Sequence, residues 1–325
     1  MPGITAKGEK KLVLVSGRAH PQLALDIAKE LGSELVHTDA RTFANGEIYA
    51  RFDESVRGSD AFVIQSHTAP INEWLMEQLI MVDALKRASA KRITVVAPFY
   101  PYSRQDKKGR GREPISARLV ADLFKVAGAD RIMSVDLHAA QIQGFFDGPV
   151  DHLFAMPVLL EHFREKLDPS TLTVVSPDMG RVRVADIWSD KLGAPLAIIH
   201  KRRDPLVPNR VSVHEIVGQV EGRVCLIVDD MIDTGRTIAQ AAEALRDAGA
   251  IGVVVAATHA VFSHPAIEML QNSAISAVVV TDTLPVPEDK RFPTLTVLPI
   301  APLLARAIHE VFDEGSVTSM FEGAA

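Results

Sequence analysis

"VDDMIDTGRT", residues 228–237, closes an apolar run, "VCLIV" (224–228), that shows no polar alternation. A strand that is apolar at successive positions is one covered on both faces, as in a parallel sheet flanked by helices. Two adjacent carboxylates, Asp229 and Asp230, stand at its end, and a third, Asp233, follows three residues later. A Thr-Gly-Arg-Thr corner then opens an alanine-rich helix. The stretch therefore reads as one βα unit with ionisable groups gathered at the strand's carboxyl end.

The same alternation runs along most of the chain. Apolar runs suited to buried strands occur at 11–17, 61–66, 92–99, 131–138, 172–178, 196–203, 223–230, 251–262 and 277–283. Helix-period segments at 21–32, 72–89, 114–129, 181–193 and 237–250 lie among them, several opened by Pro or closed by Gly. Strands that alternate with helices imply an α/β fold with mainly parallel sheets. The stretch "GFFDGPVDHLFAMP" (144–157) interrupts the rhythm, so two α/β domains are expected, 1–155 and 156–325. "FANGEIYARF" (43–52) alternates and contains Asn-Gly, which predicts a hairpin or flap on the first domain.

Composition narrows the functional classes. With 47% hydrophobic and 23% charged residues in 325, the chain has ample material for a core. No apolar run reaches the roughly 18 residues needed to cross a bilayer, and "MPGITAKGEKK" lacks the apolar centre of a signal peptide. The single cysteine, Cys225, falls in a buried strand and fits a reducing cytoplasm. A net charge of −6 argues against general nucleic-acid binding. Positive charge is instead concentrated in "RQDKKGRGR" (104–112) and "HKRRD" (200–204), which favours a small polyanionic ligand.

Ligands of open parallel sheets bind beyond the carboxyl ends of strands. Asp136 and His138, Asp178, Lys201 to Arg203, and Asp229, Asp230 and Asp233 all stand at such ends. Each alone is explained as a cap or turn residue; four ionisable strand ends in one chain point to a site. Backbone N–H groups of Thr234, Gly235, Arg236 and Thr237 converge where a strand passes into a helix, a setting that suits phosphate. The neighbouring Asp pair accepts hydrogen bonds from sugar hydroxyls, and a bridging Mg²⁺ is its other natural partner. A phosphate beside a diol describes a sugar phosphate. The loop "PFYPYSRQDKKGRGREPISARL" (98–119) joins aromatic and basic residues that suit a nucleotide polyphosphate.

"RQDKKGRGREPISARLVADL", "SVDLHAAQIQGFFDGPVDHL", "SPDMGRVRVADIW", "IIHKRRDP" and "VDDMIDTGRTI" together resemble the ribose-phosphate diphosphokinases of the phosphate-activated bacterial type, from about residue 11 to 321. The resemblance implies two tandem type I phosphoribosyltransferase-like domains, each a mainly parallel sheet flanked by helices. It also implies transfer of the diphosphoryl group of MgATP to the 1-hydroxyl of ribose 5-phosphate, releasing AMP. By position, Asp229, Asp230, Asp233, Thr234, Gly235, Arg236 and Thr237 correspond to the ribose 5-phosphate site. Phe43, Asn45, Glu47, Arg104, Gln105 and His138 correspond to the ATP site, with the flap residues reaching in from a neighbouring subunit. His138 and Asp178 are the implied Mg²⁺ contacts, and Lys201 and Arg203 the catalytic cations on a mobile loop. Relatives assemble as hexamers, activated by inorganic phosphate and inhibited by ADP. Lys108, Arg110, Arg112, Gln143, Asp151, Ser316 and Thr318 match the effector positions, while Ala140 and His152 differ from residues found there in relatives.

Arg236 also departs from the pattern, standing where relatives carry glycine. If that position needed a left-handed backbone, arginine would cost about 1–2 kcal/mol; with ordinary φ its side chain points outward or adds a contact to the phosphate. A catalytically silent regulatory homologue therefore remains an alternative, as does a base-salvage phosphoribosyltransferase, which uses the same acidic loop but leaves the first half without a role.

Overall fold

The computed structural model describes residues 10–202 and 213–321, which form two compact units. Unit 1 contains β1 (Leu12–Ser16), α1 (Pro21–Glu30), β2 (Thr38–Thr42), β3 (Ile48–Phe52), β4 (Asp60–Ile64) and α2 (Ile71–Arg87). It continues through β5 (Arg92–Val96), α3 (Ser116–Ala127), β6 (Arg131–Val135) and β7 (Val150–Leu153). Unit 2 holds α4 (Met156–Arg164), β8 (Leu172–Ser176), α5 (Val182–Leu192), β9 (Leu196–Arg202), β10 (Val213–Val217) and β11 (Val224–Ile232). It ends with α6 (Arg236–Asp247), β12 (Gly252–Ala260), α7 (Ala266–Gln271), β13 (Ile275–Thr281) and β14 (Leu295–Leu298). The last helix, α8 (Ala301–Phe312), belongs to unit 1.

Unit 1 is a parallel sheet in the order β1-β4-β5-β6-β7, with β2 and β3 forming a separate antiparallel hairpin. Unit 2 is a seven-stranded sheet, β10-β9-β8-β11-β12-β13-β14, parallel except for the β9/β10 hairpin. From β8 the chain runs to β9 on one side and returns to β11 on the other. The order therefore reverses between β8 and β11, which opens a crevice at their carboxyl ends.

The apolar run that ends at Asp229 is buried between two parallel neighbours, β8 and β12, as its composition predicts. In α6, Ile238, Ala241, Ala242 and Leu245 recur at helical spacing and join the same core as Ile227 and Val255. Each large aliphatic side chain buried in this way contributes roughly 1.5–3 kcal/mol.

Elements absent from the sequence expectation include α4, β7, β10, α7, β14 and α8. The segment 144–157, expected as a break between domains, contains the Leu153/Phe154 division between the units and also carries β7, a four-residue edge strand too short and too half-buried to show an apolar run. Residues 301–321 lie with unit 1 instead of ending the second domain. There Lys10 pairs with Glu314 at 2.9 Å and donates to the Phe312 carbonyl, while Arg92 reaches Glu314 at 3.5 Å. No helix among the described residues is long and apolar enough to cross a membrane.

Beyond β4, His67 is fully buried, and its Nδ1–H donates to the Phe99 carbonyl at 3.1 Å. Burial lowers its pKa to about 4, against smaller upward effects from the Phe99 and Gln78 hydrogen bonds. Between the ordinary value near 6.5 and 4 the unfolded chain takes a proton that the folded one refuses, so stability falls as pH falls through that window. The loss attributable to His67 is about 3 kcal/mol. Thermal melts from pH 7 to pH 4 are expected to show a flatter decline for His67→Gln than for the native protein; parallel curves would refute this role.

Candidate functional site

The acidic pair sits at the β8/β11 crevice. Asp229 and Asp230 lie near the carboxyl end of β11, both largely buried, and the Asp230 N–H donates to Asp229 Oδ1 at 2.8 Å. Burial first, and then the charge of Asp230, raise the Asp229 carboxyl well above the ordinary range. Arg181 opposes them: its Nε lies 3.2 Å from Asp229 Oδ1 and its Nη2 lies 2.5 Å from Asp230 Oδ1.

Arg181 arrives there because of the turn after β8. Ser176 donates its hydroxyl to the Asp178 carbonyl at 2.7 Å, and the Gly180 N–H donates to Asp178 Oδ1 at 2.8 Å. This Asx-type turn delivers Arg181 to the N-cap of α5. Arg181 is the residue of this crevice that the sequence did not single out. One signal was available: a cation at a helix N-terminus opposes the macrodipole, so it calls for a nearby carboxylate.

The corner that follows is built on glycine. Gly235 is buried with φ +73°, and an added Cβ would lie 3.2 Å from the Ala266 carbonyl oxygen. It caps α6 without a side chain, so the N-cap residue itself makes no side-chain hydrogen bond to the first-turn N–H groups. Asp233, Thr234 and Thr237 are half-buried around it. Arg236 is the first residue of α6, exposed and outside the left-handed region. The glycine-demanding backbone is thus at 235, and the strain considered for Arg236 does not arise.

On β9, beside β8, Lys201 pairs with His214 of β10 in the backbone register. The Lys201 side chain and Arg203 lie outside the described residues. Asp178 is exposed on the turn after β8.

In unit 1 the expected nucleotide residues occupy three places. Phe43, Asn45 and Glu47 are exposed at the tip of the β2/β3 hairpin, where Gly46 has φ +91°. Phe43 packs edge-on to Tyr49, with the Arg41 guanidinium over both rings. Arg104 and Gln105 are exposed in the loop after β5, where Ser116 donates to Gln105 Oε1 at 2.7 Å. His138 is half-buried after β6, the neighbouring strand.

Among the expected effector residues, Lys108, Arg110 and Arg112 are exposed on the basic loop, whose turn is fixed by Glu113 accepting from the Gly109 and Arg110 N–H groups. Gln143 donates to the Ala140 carbonyl and contacts His152 at 3.4 Å, and Asp151 accepts twice from Arg131. Ser316 and Thr318 are exposed near the C-terminal end. Asp106 accepting from Gln141 ties the basic loop to the turn that holds Gln143.

Among the described residues no three His, Cys, Asp or Glu side chains are grouped to hold a metal. Magnesium is commonly held by one or two carboxylates, with waters and substrate phosphates supplying the rest. Asp178 fits that donor set; the imidazole of His138 is a softer donor that suits other metals better.

Residues 12–128 match the N-terminal domain of ribose phosphate pyrophosphokinase, and residues 198–322 match the phosphoribosyl synthetase-associated domain. Ribose-phosphate pyrophosphokinase of Streptomyces avermitilis is 65% identical over 99% of both chains. The chain belongs to the ribose-phosphate pyrophosphokinase family. The Mycobacterium tuberculosis member is 62% identical over 97% of both chains. A crystal structure of phosphoribosylpyrophosphate synthetase from Mycobacterium smegmatis, 61% identical, covers 94% of this chain and 100% of its own, with a TM-score of 0.88.

The two corner residues predict losses of different size on substitution. Gly235→Ala is expected to lose about 1–2 kcal/mol from backbone strain alone. Arg236→Gly is expected to lose no more than about 1 kcal/mol. Denaturant titration of both variants distinguishes them; a larger loss at Arg236 would mean that the left-handed position had been misassigned.

Proposed function

We propose that the protein transfers the β,γ-diphosphoryl group of MgATP to the 1-hydroxyl of ribose 5-phosphate. The products are 5-phosphoribosyl 1-diphosphate and AMP, the former serving nucleotide, histidine and tryptophan biosynthesis in the cytoplasm. One observation carries the sugar-phosphate half of this reading: an acidic pair and a glycine-capped helix N-terminus adjoin at a topological switch point. Asp229 and Asp230 accept from the 2- and 3-hydroxyls, and Asp233 to Thr237 enclose the 5-phosphate. Arg236, exposed at the positive end of α6, adds charge beside that phosphate.

The oxygen of the 1-hydroxyl attacks the β-phosphorus and loses its proton, while the bond from that phosphorus to the bridging oxygen of AMP breaks. Charge spreads over phosphoryl oxygens in such a transfer, so catalysis is mainly positioning and electrostatic stabilisation. Lys201 and Arg203 supply cations to it. Bound Mg²⁺ supplies further charge neutralisation of the phosphates, with Asp178 as its carboxylate contact and His138 beside the triphosphate. Phe43, Asn45 and Glu47 receive the adenine, and Arg104 and Gln105 bind the phosphates.

A homohexamer responsive to phosphate and ADP is part of the same reading. Its support is the exposed basic loop in a chain of net charge −6 and the exposed apolar stripe Leu119, Leu123 and Val126 on α3. Lys108, Arg110, Arg112, Gln143, Asp151, Ser316 and Thr318 are the proposed effector residues.

The test is AMP formation from MgATP with and without ribose 5-phosphate, under saturating phosphate and Mg²⁺. AMP is expected only when the sugar phosphate is present. AMP formed equally without it, or not at all, contradicts the assignment.

A further inference from the structure

Arg181 differs from an ordinary surface ion pair in three respects. Its side chain is only 13% exposed, and the carboxylates it bridges are 15% and 8% exposed, so the three charges are largely withdrawn from water. It sits at the N-cap of α5, where the helix dipole repels a cation, so the carboxylates hold it there. It also uses two different nitrogens, Nε for Asp229 and Nη2 for Asp230. A planar guanidinium fork fixes the spacing and orientation of the groups it bridges, which a flexible ammonium does not.

Vicinal hydroxyls on a furanose ring lie at a set distance from each other, and their recognition needs two acceptors at a matching separation. Two adjacent carboxylates without a cation repel, and one of them tends to take a proton and lose acceptor capacity. Arg181 engages Oδ1 of each, and an ionised carboxylate offers about four lone-pair sites. The bridge is therefore compatible with hydroxyls bound to the same pair.

We propose that Arg181 is a positioning residue for the sugar phosphate, holding the Asp229 and Asp230 carboxylates at the spacing that two vicinal hydroxyls require. The inference rests on the sugar-phosphate reading of this crevice. It opposes the view that Arg181 merely fills the acidic pair until substrate displaces it, because removing such a competitor would strengthen sugar binding.

The experiment is steady-state kinetics of the full chain with each substrate varied in turn, for the native protein, Arg181→Met and Arg181→Lys. Ribose 5-phosphate-dependent AMP formation by the native protein is established first, so failure of the functional reading shows before any variant is compared. Arg181→Met is expected to raise KM for ribose 5-phosphate at least tenfold, with KM for ATP within twofold of native. Arg181→Lys, which keeps the charge but loses the fork, is expected to fall between them, at threefold or more above native. A KM for ribose 5-phosphate that is unchanged or lowered in Arg181→Met overturns the proposal, as does a parallel rise for both substrates. Should Arg181→Met not fold, Arg181→Lys decides: a sugar-specific rise of threefold or more supports the proposal, and a smaller one overturns it.

Discussion

Two carboxylates buried side by side require a cation, and in unit 2 that cation is Arg181. The rest of the crevice is arranged around this need. The Asx turn after β8 delivers the guanidinium, and the long strand β11 carries the pair past its pairing with β8 into reach of that group. The carboxylates remain partly destabilised even so, since burial and mutual repulsion raise the Asp229 carboxyl against the pull of Arg181. A site of this kind is poised for hydroxyl donors, which relieve the acidic pair without adding charge. The proposed anion corner lies a few residues later, where Gly235 accommodates the backbone turn and the approach of the Ala266 carbonyl. In the proposed function the acidic pair and this corner follow one another along one continuous stretch of chain, in the order that a sugar phosphate presents.

Unit 1 works with different means. Its sheet runs β1-β4-β5-β6-β7, with Leu35 bridging β1 in parallel on the side away from β4, and its candidate residues stand on loops after β5 and β6 and on a projecting hairpin. The hairpin tip is stiffened locally by an Arg41–Tyr49–Phe43 stack. Just below the tip, Arg18 donates to Thr42 and pairs with the fully buried Glu77. A firm base beneath exposed aromatic and polar residues suits a surface that meets a planar ring. The basic loop is likewise shaped from within, by Glu113 and Asp106 accepting from groups on and beside it.

Much of this was legible in the sequence because buried parallel strands leave uninterrupted apolar runs, and β11 and β12 were read from theirs. Short or edge strands leave no such trace: β7, β10 and β14 are four or five residues each and went unread. The acidic pair and its corner were legible from composition and order alone. Arg181 was not, because its role depends on a turn that brings two strand ends together, a contact across nearly fifty residues of chain. The doubt over Arg236 had a related origin. Aligning the motif placed arginine at a glycine position, whereas the left-handed residue is its neighbour, and only backbone geometry separates the two.

The proposed function has the β8/β11 crevice bind a sugar phosphate with its diol on the acidic pair and its phosphate on the glycine corner. A crystal structure of the protein with ribose 5-phosphate shows whether it does. The 2- and 3-hydroxyl oxygens are expected within about 2.5–3.0 Å of Asp229 and Asp230, with Arg181 still bridging the pair and the phosphate on the first-turn N–H groups of α6. A sugar phosphate bound in the reverse sense, or seated on the basic loop of unit 1 with the crevice empty, would contradict it.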